Sequence, residues 1–233
     1  MSSLSGAGRA RQVQSMFTRI APRYDLMNRL MTAGQDVRWR REVIRLAGLK
    51  PGALMLDLGA GTGDLAREAL RQQPDCRPVA TDFTLAMMLY GRAHSDSQRI
   101  VWLAADALRL PYPDACFDAV VSGYLMRNVA DVQAALREQK RVLKPGGKVV
   151  ILDTTRPHPN PFTPLVYFHL HAVIPFLGWL VTGQRDAYTY LPDSTEKFLR
   201  AEELAARMAA AGFREIAYRR FMVGTMAIHW GRK

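Results

Sequence analysis

Three glycines and two acids fall within eight residues of this sequence, Asp57-Leu58-Gly59-Ala60-Gly61-Thr62-Gly63-Asp64. Glycine accepts a positive φ and carries no side chain, so a glycine-rich loop between a strand and a helix lets backbone N–H groups approach a ligand closely. Dinucleotide enzymes space such glycines as G-x-G-x-x-G, whereas here they alternate and are flanked by Asp57 and Asp64. Two carboxylates would repel a pyrophosphate. They would attract a ligand that carries a sulfonium and an ammonium, so the charge pattern points to S-adenosylmethionine rather than NAD.

Two further acids extend this reading. Asp82 stands about twenty residues beyond the loop, where an acid can accept both hydroxyls of a ribose, and Asp106-Ala107 follows the next apolar run, where an acceptor could meet an adenine amino group. Each acid alone is more often a solvated loop residue or a helix cap than a ligand contact. Three acids at three successive strand ends outline the crevice where open α/β sheets bind ligands.

The elements that must hold these residues follow from hydrophobic patterning. Leu54 to Leu58 is an apolar run ending in glycines, the pattern of a buried parallel strand feeding a helix. Strands are expected at Arg77 to Thr81, Ile100 to Ala104, Phe117 to Ser122 and Val149 to Leu152, with helices at Asp64 to Gln72, Thr84 to Gly91 and from Asp131 to Lys144-Pro145-Gly146-Gly147. A last helix around Leu204 and Met208 precedes strands at Phe213 to Phe221 and Met222 to Trp230. Alternating strands and helices specify a doubly wound α/β domain. Ahead of it, Val13, Met16, Phe17, Ile20, Met27, Leu30 and Met31 suit two short amphipathic helices broken at Ala21-Pro22, and a third passes through Val37, Ile44 and Leu46. The expected organisation is an N-terminal helical cap over residues 1–50 and a cofactor-binding domain over 51–233, interrupted by an apolar insertion at about 157–190.

The chain of 233 residues carries a net charge of +11, and its first fifty residues hold ten Arg or Lys against Asp25, Asp36 and Glu42. Such asymmetry suits nucleic acid, an anionic membrane surface or a solvated basic face. Cys76 and Cys116 lie far apart with no histidine cluster, which indicates neither a zinc site nor a disulfide framework and suits a reducing compartment. The opening MSSLSGAGRARQ lacks the apolar core of a secretory signal, so a cytoplasmic location is expected.

Several segments together resemble one family, the C-methyltransferases that act on the quinol ring in menaquinone and ubiquinone biosynthesis. They are MFTRIAPRYDLMNRLMTAGQDVRWRR, LDLGAGTGD, LRLPYPDACFDAVVSGYLMRNVAD, RVLKPGGKVVILD, TYLPDS and IHWGRK. The narrowest signatures are YDLMN ahead of the domain and RNV after the fourth strand. The resemblance implies a Rossmann-like class I methyltransferase with a seven-stranded, mostly parallel sheet flanked by helices, N-terminal helices, and the apolar insertion after strand five. It implies S-adenosylmethionine as cofactor, with contacts at Thr62, Asp82, Asp106, Ala107 and Ser122 beside those of Asp57, Gly59 and Gly61. Where the family usually has Phe-Gly-Leu this chain has Tyr124-Leu125-Met126, and where paired glycines are common it has Val223-Gly224.

The resemblance also implies an acceptor site at Tyr24, Arg127 and Asn128. Methyl transfer to a ring carbon needs alignment and a phenolate-like ring, and no metal. Arg127 would stabilise the phenolate, Asn128 and Tyr24 would orient it, and Asp25 is a candidate base. Without the resemblance, Arg127 and Asn128 read as a loop ion pair and a helix cap, and Tyr24 as a core aromatic. His229, His169 and His171 receive no role. Leu165 to Val181 is long and apolar, yet contains two histidines and Pro175 between strands of one sheet, so a lid or interfacial helix is expected rather than a span. The implied partners are a lipid-soluble polyprenyl quinol and, peripherally, an anionic membrane on the cytoplasmic side; a homo-oligomer is compatible, and no nucleic acid is expected. Demethylmenaquinol is the favoured acceptor, ahead of 2-methoxy-6-polyprenyl-1,4-benzoquinol, with an RNA methyltransferase and a non-catalytic assembly protein as rivals from other classes.

Overall fold

The computed structural model describes residues 6–156, 161–182 and 194–233. Residues 157–160 of the proline-rich stretch after Arg156, and the TYLPD segment, lie outside the described residues. Seven strands form one sheet in the order β3-β2-β1-β4-β5-β7-β6. They are β1 Leu54–Leu58, β2 Arg77–Asp82, β3 Val101–Ala104, β4 Phe117–Gly123, β5 Leu143–Thr154, β6 Arg214–Phe221 and β7 Met226–Arg232. The first five run parallel, and β7 alone is antiparallel to its neighbours β5 and β6. This is the Rossmann-like class I architecture expected.

The helices, in chain order, are α1 Gly6–Ile20, α2 Tyr24–Met31, α3 Gln35–Ala47, α4 Asp64–Gln72, α5 Leu85–Arg92, α6 Val132–Val142, α7 Thr163–Phe168, α8 Ile174–Thr182 and α9 Ala201–Ala210. Alternation along the strands sorts the core into two layers. Leu56, Leu58, Val120, Val149 and Ile151 face α6 and α9 on one side. Met55, Val121, Val150 and Leu152 face α3 and α4 on the other, where Trp39, Val43, Ile44 and Leu65 pack. A third cluster joins Met16, Ile20 and Met27 of the N-terminal helices to Ile174 of the insertion. Met27 is fully buried there, a contact worth about 1.5–3 kcal/mol, so the insertion is anchored on the N-terminal helices rather than on the sheet.

Two boundaries differ from expectation. Met222 to Gly224 is a tight turn with φ of 46°, 54° and 86°, so the last strand starts at Met226 rather than Met222. Strand β5 begins at Leu143, because Phe117 pairs with Leu143 before the register shifts around the Lys144 to Gly147 loop. The insertion helix stays continuous through a wide turn at His169–Val173, where the Ile174 N–H donates to the His169 carbonyl, next to Pro175, which has no N–H to give.

Candidate active site

The loop after β1 is held by backbone bonds to the neighbouring strand. Gly59 and Ala60 N–H groups donate to the Thr81 carbonyl at 2.8 and 3.0 Å, and the Gly61 N–H donates to Asp82 Oδ2 at 2.8 Å. Gly63 sits at φ 84°, and a Cβ there would lie 2.5 Å from the Trp102 ring, so side chain and conformation are both excluded. Gly91 of α5 is pressed against the loop from outside, where a Cβ would collide with the Thr62 carbonyl.

Beside this loop opens a cavity of about 430 Å³ whose floor includes Gly59, Gly61, Asp82, Asp106 and Ala107. Asp82 Oδ1 accepts the Thr84 N–H at 2.7 Å, and burial pushes its carboxyl above the ordinary range. Asp106 Oδ1 accepts the Leu108 N–H at 2.9 Å. The roof is α1, through Val13, Gln14 and Phe17, and Gln14 donates to the Phe83 carbonyl at 2.9 Å. Tyr90 of α5 donates to the Pro22 carbonyl at 3.1 Å. Amphipathic spacing identified α1 as a helix but not as a roof.

Asp57 and Thr62 line a small adjoining void of about 40 Å³ with Tyr24, Asn28 and Tyr124. Asp57 accepts the Ala66 N–H at 3.0 Å, while its other oxygen is buried without a hydrogen-bond partner among the described residues. Burial raises its carboxyl to about 7, with Asp64 and Asp82 adding to the rise. A carboxyl so placed is ready to gain from a cation. Asp64 lines the same void, where Arg40 and Arg67 both pair with it. Ser122 is fully buried within β4 and lines none of these spaces.

A second cavity, of about 480 Å³, is mostly apolar and is walled by Met31, Leu165, Leu170, Ile174, Val223 and Met226. Arg127 reaches it, fixed by a 2.6 Å ion pair from Nη1 to Asp153 Oδ1. Burial opposes the guanidinium's charge, but Asp153 beside it outweighs this and the net shift is upward. Tyr124 lines all three spaces. It holds a left-handed φ of 60°, and the Arg127 guanidinium lies 5.2 Å from its ring centroid. Burial pushes both the Tyr124 and Tyr24 phenols up, so both stay protonated at neutral pH.

The expected acceptor residues therefore divide. Tyr24 and Asn128 line the first cavity, Asn128 donating to the Tyr124 carbonyl at 2.9 Å, while Arg127 lines the second. Asp25 accepts the Thr62 hydroxyl at 2.8 Å, and burial raises its carboxyl. Residues that sequence reasoning gave no role include Gln14, Thr154 and Thr195; the two threonines join Arg127 at the second cavity. The polar Asp153-Thr154-Thr155 run after a buried strand was the available signal for one of them.

The geometry is thus an acid-lined cavity at a glycine loop beside an apolar cavity with one fixed guanidinium. Comparison with known proteins is consistent with that arrangement. A family model described as the ubiE/COQ5 methyltransferase family matches residues 5–233. The ubiquinone/menaquinone biosynthesis C-methyltransferase UbiE of Desulfotalea psychrophila is 46% identical over 221 residues, spanning 95% of this chain and 90% of its own. The demethylmenaquinone methyltransferase of Thermus thermophilus is 44% identical over 218 residues, spanning 93% and 99%. Among solved structures, a SAM-dependent methyltransferase of Thermotoga maritima, described as a possible histamine N-methyltransferase, superposes with a TM-score of 0.67 at 19% identity, over 95% of this chain and 99% of that one.

Proposed function

The chain belongs to the ubiE/COQ5 methyltransferase family, and from that premise we propose that it methylates a ring carbon of a polyprenyl quinol, with demethylmenaquinol as the acceptor. The observation that carries this reading is the shared wall at Tyr124, which sets a cavity holding Asp82 and Asp106 against a more apolar one large enough for a bicyclic ring. Asp82 and Asp106 would hold a ribose and an adenine, and Asp57 would face the amino-acid end, with the Gly59 to Gly63 loop as cradle. The residues fit S-adenosylmethionine: a buried carboxyl with an unpartnered oxygen needs a cation, and glycines leave room for the ligand. When bound, that cofactor supplies an electrophilic methyl group, its sulfur keeping the bonding pair as the ring carbon forms the new bond and then loses its proton.

The chain's own residues supply alignment and charge. Arg127 faces the oxygen adjacent to the reacting carbon and stabilises it as the hydroxyl proton leaves, which raises electron density at that carbon. Its ion pair with Asp153 keeps the guanidinium from rotating away. Tyr24 and Asn128 orient the ring from the cofactor side. The apolar wall excludes water that would otherwise screen these charges. Purified protein given labelled methyl donor should methylate demethylmenaquinol in preference to 2-methoxy-6-polyprenyl-1,4-benzoquinol and leave RNA unlabelled. The reverse preference would move it to the ubiquinone branch, and label in RNA alone would overturn the reading.

The same reading extends to the membrane. The helix Thr163–Val181 is long and apolar enough to cross a bilayer by length and composition, and Leu165, Phe168, Phe176, Trp179 and Leu180 are each more than half exposed. Packed on α2, whose Leu26 and Leu30 are also exposed, it lies on the cytoplasmic face of the membrane and receives the isoprenoid tail. Flotation with anionic and neutral vesicles tests this, and no association with either would refute it.

A further inference from the structure

Three buried hydroxyls that line the second cavity have no hydrogen-bond partner among the described residues: Tyr124, on the wall shared with the first cavity, and the two threonines Thr154 and Thr195. Thr154 ends β5, and Thr195 lies on the short helical stretch 194–197; they are 8% and 1% exposed, and both line the cavity. Neither Oγ1 has a hydrogen-bond partner among the described residues. Other threonines at the same cavity are satisfied: Thr32 donates to the Asn28 carbonyl at 2.8 Å and Thr225 to the Met222 carbonyl at 2.9 Å. Backbone acceptors are thus available in this region, and these two hydroxyls do not use them. Burying a hydroxyl unpaired costs stability, so two such threonines in a mostly apolar chamber call for a ligand that repays the cost.

A 1,4-quinol has two oxygens at opposite ends of its ring. Arg127 addresses the one adjacent to the carbon being methylated; the other would enter an apolar chamber unsatisfied. We propose that Thr154 and Thr195 bind this second ring oxygen and select a para-dioxygenated ring over a monophenol. The assignment rests on the acceptor reading above. A threonine hydroxyl both donates and accepts, so the pair can hold the oxygen as a hydroxyl or, in the oxidised ring, as a carbonyl.

The test uses the full-length protein with Thr154→Val and Thr195→Val, each close in shape to wild type. Two acceptors are compared: a short-tailed demethylated 1,4-naphthoquinol, and the analogue lacking the hydroxyl remote from the reacting carbon. Each variant should raise KM for the diol roughly tenfold, the loss expected for one hydrogen bond. It should leave KM for the monohydroxy analogue unchanged. Binding of the oxidised naphthoquinone without methyl donor, followed by tryptophan quenching, should weaken by the same factor, while S-adenosylmethionine affinity holds and the melting temperature of the ligand-free protein holds or rises. Equal losses on both rings would show a packing role and overturn the proposal, as would unaltered binding of the diol. A wild-type protein that binds and methylates neither ring would overturn the acceptor assignment itself; a wild type that does so while the valine variants match it overturns this inference alone.

Discussion

Replacing Arg127 tests the acceptor chemistry, but the structure shows that alanine is the wrong instrument. The guanidinium and its partner are 7% and 1% exposed at the side chain and meet at 2.6 Å. Removing one member of a buried pair leaves an uncompensated charge and costs about 3–5 kcal/mol. For a domain of this size that is a fall of roughly 6–20 °C in melting temperature, enough to abolish activity through unfolding alone. Arg127→Met combined with Asp153→Asn removes both charges while keeping volume. The carboxamide oxygen introduced by the second substitution can still accept the Thr154 N–H that Asp153 Oδ1 takes at 2.7 Å. The double variant should lie within about 1–2 kcal/mol of wild type in urea melts. Its turnover should remain lower by about 10²–10³, the scale for removing one donor to a developing oxyanion. Cofactor affinity by calorimetry should hold, since Arg127 does not line the first cavity. Turnover recovering in step with stability would make Arg127 structural, and parallel loss of cofactor affinity would place its role elsewhere.

Three other outcomes follow from buried groups and close contacts. Asp57, raised by burial to about 7, holds its proton in the folded state while the unfolded carboxyl loses it near 3.8, so its contribution falls as pH rises between these values, by up to roughly 4 kcal/mol. Asp57→Asn should therefore stabilise the ligand-free protein at pH 8 but not at pH 4, and weaken S-adenosylmethionine binding, as denaturant titrations and calorimetry would show. His229, lowered by burial to about 4 with Nε2 2.9 Å from the Ala201 carbonyl, acts in the opposite sense. Its stabilisation is complete above about 6.5 and lost as pH falls toward 4, roughly 3 kcal/mol, and His229→Gln should remove that acid loss. Because the two slopes oppose each other, the single variants should show pH dependence that wild type conceals. Gly91→Ala should displace the Thr62 carbonyl and reduce both cofactor affinity and melting temperature, whereas Gly52→Ala, at φ 76° with open space around it, should cost only about 1–2 kcal/mol of backbone strain.

The strands and the cofactor loop were legible because their signals are local. Buried parallel strands such as Leu54–Leu58 read as short apolar runs, and a loop that must hold positive φ advertises itself as glycine. Asp82 and Asp106 were readable because strand ends in this fold converge on one crevice. The ion pairs of Asp64 were only partly readable: Arg67 lies three residues along the same helix, but Arg40 is brought to it by packing of α3 against α4, which no spacing rule encodes. Tyr124 was noticed only as a departure from the usual residue, since nothing local announces a left-handed tyrosine. The Met222 to Gly224 turn escaped for the same reason, two of its three residues being non-glycine at positive φ. Thr195 and Thr154 are separated by forty-one positions of chain and the insertion, so their shared cavity is visible only in three dimensions.

Strands β4 and β5 are neighbours, with Gly123 opposite Leu152, and the ladder continues one step further through the Tyr124 N–H, which donates to the Leu152 carbonyl at 2.8 Å. Gly123 lines the first cavity and Thr154, on the adjoining strand, lines the second, with Tyr124 between them on both. On the proposed reading, the separation between the two reactants is gauged largely by the spacing of paired strands, about 4.8 Å. A jig of this kind tolerates retooling: wall residues can be exchanged to admit a different ring while the backbone keeps the alignment true.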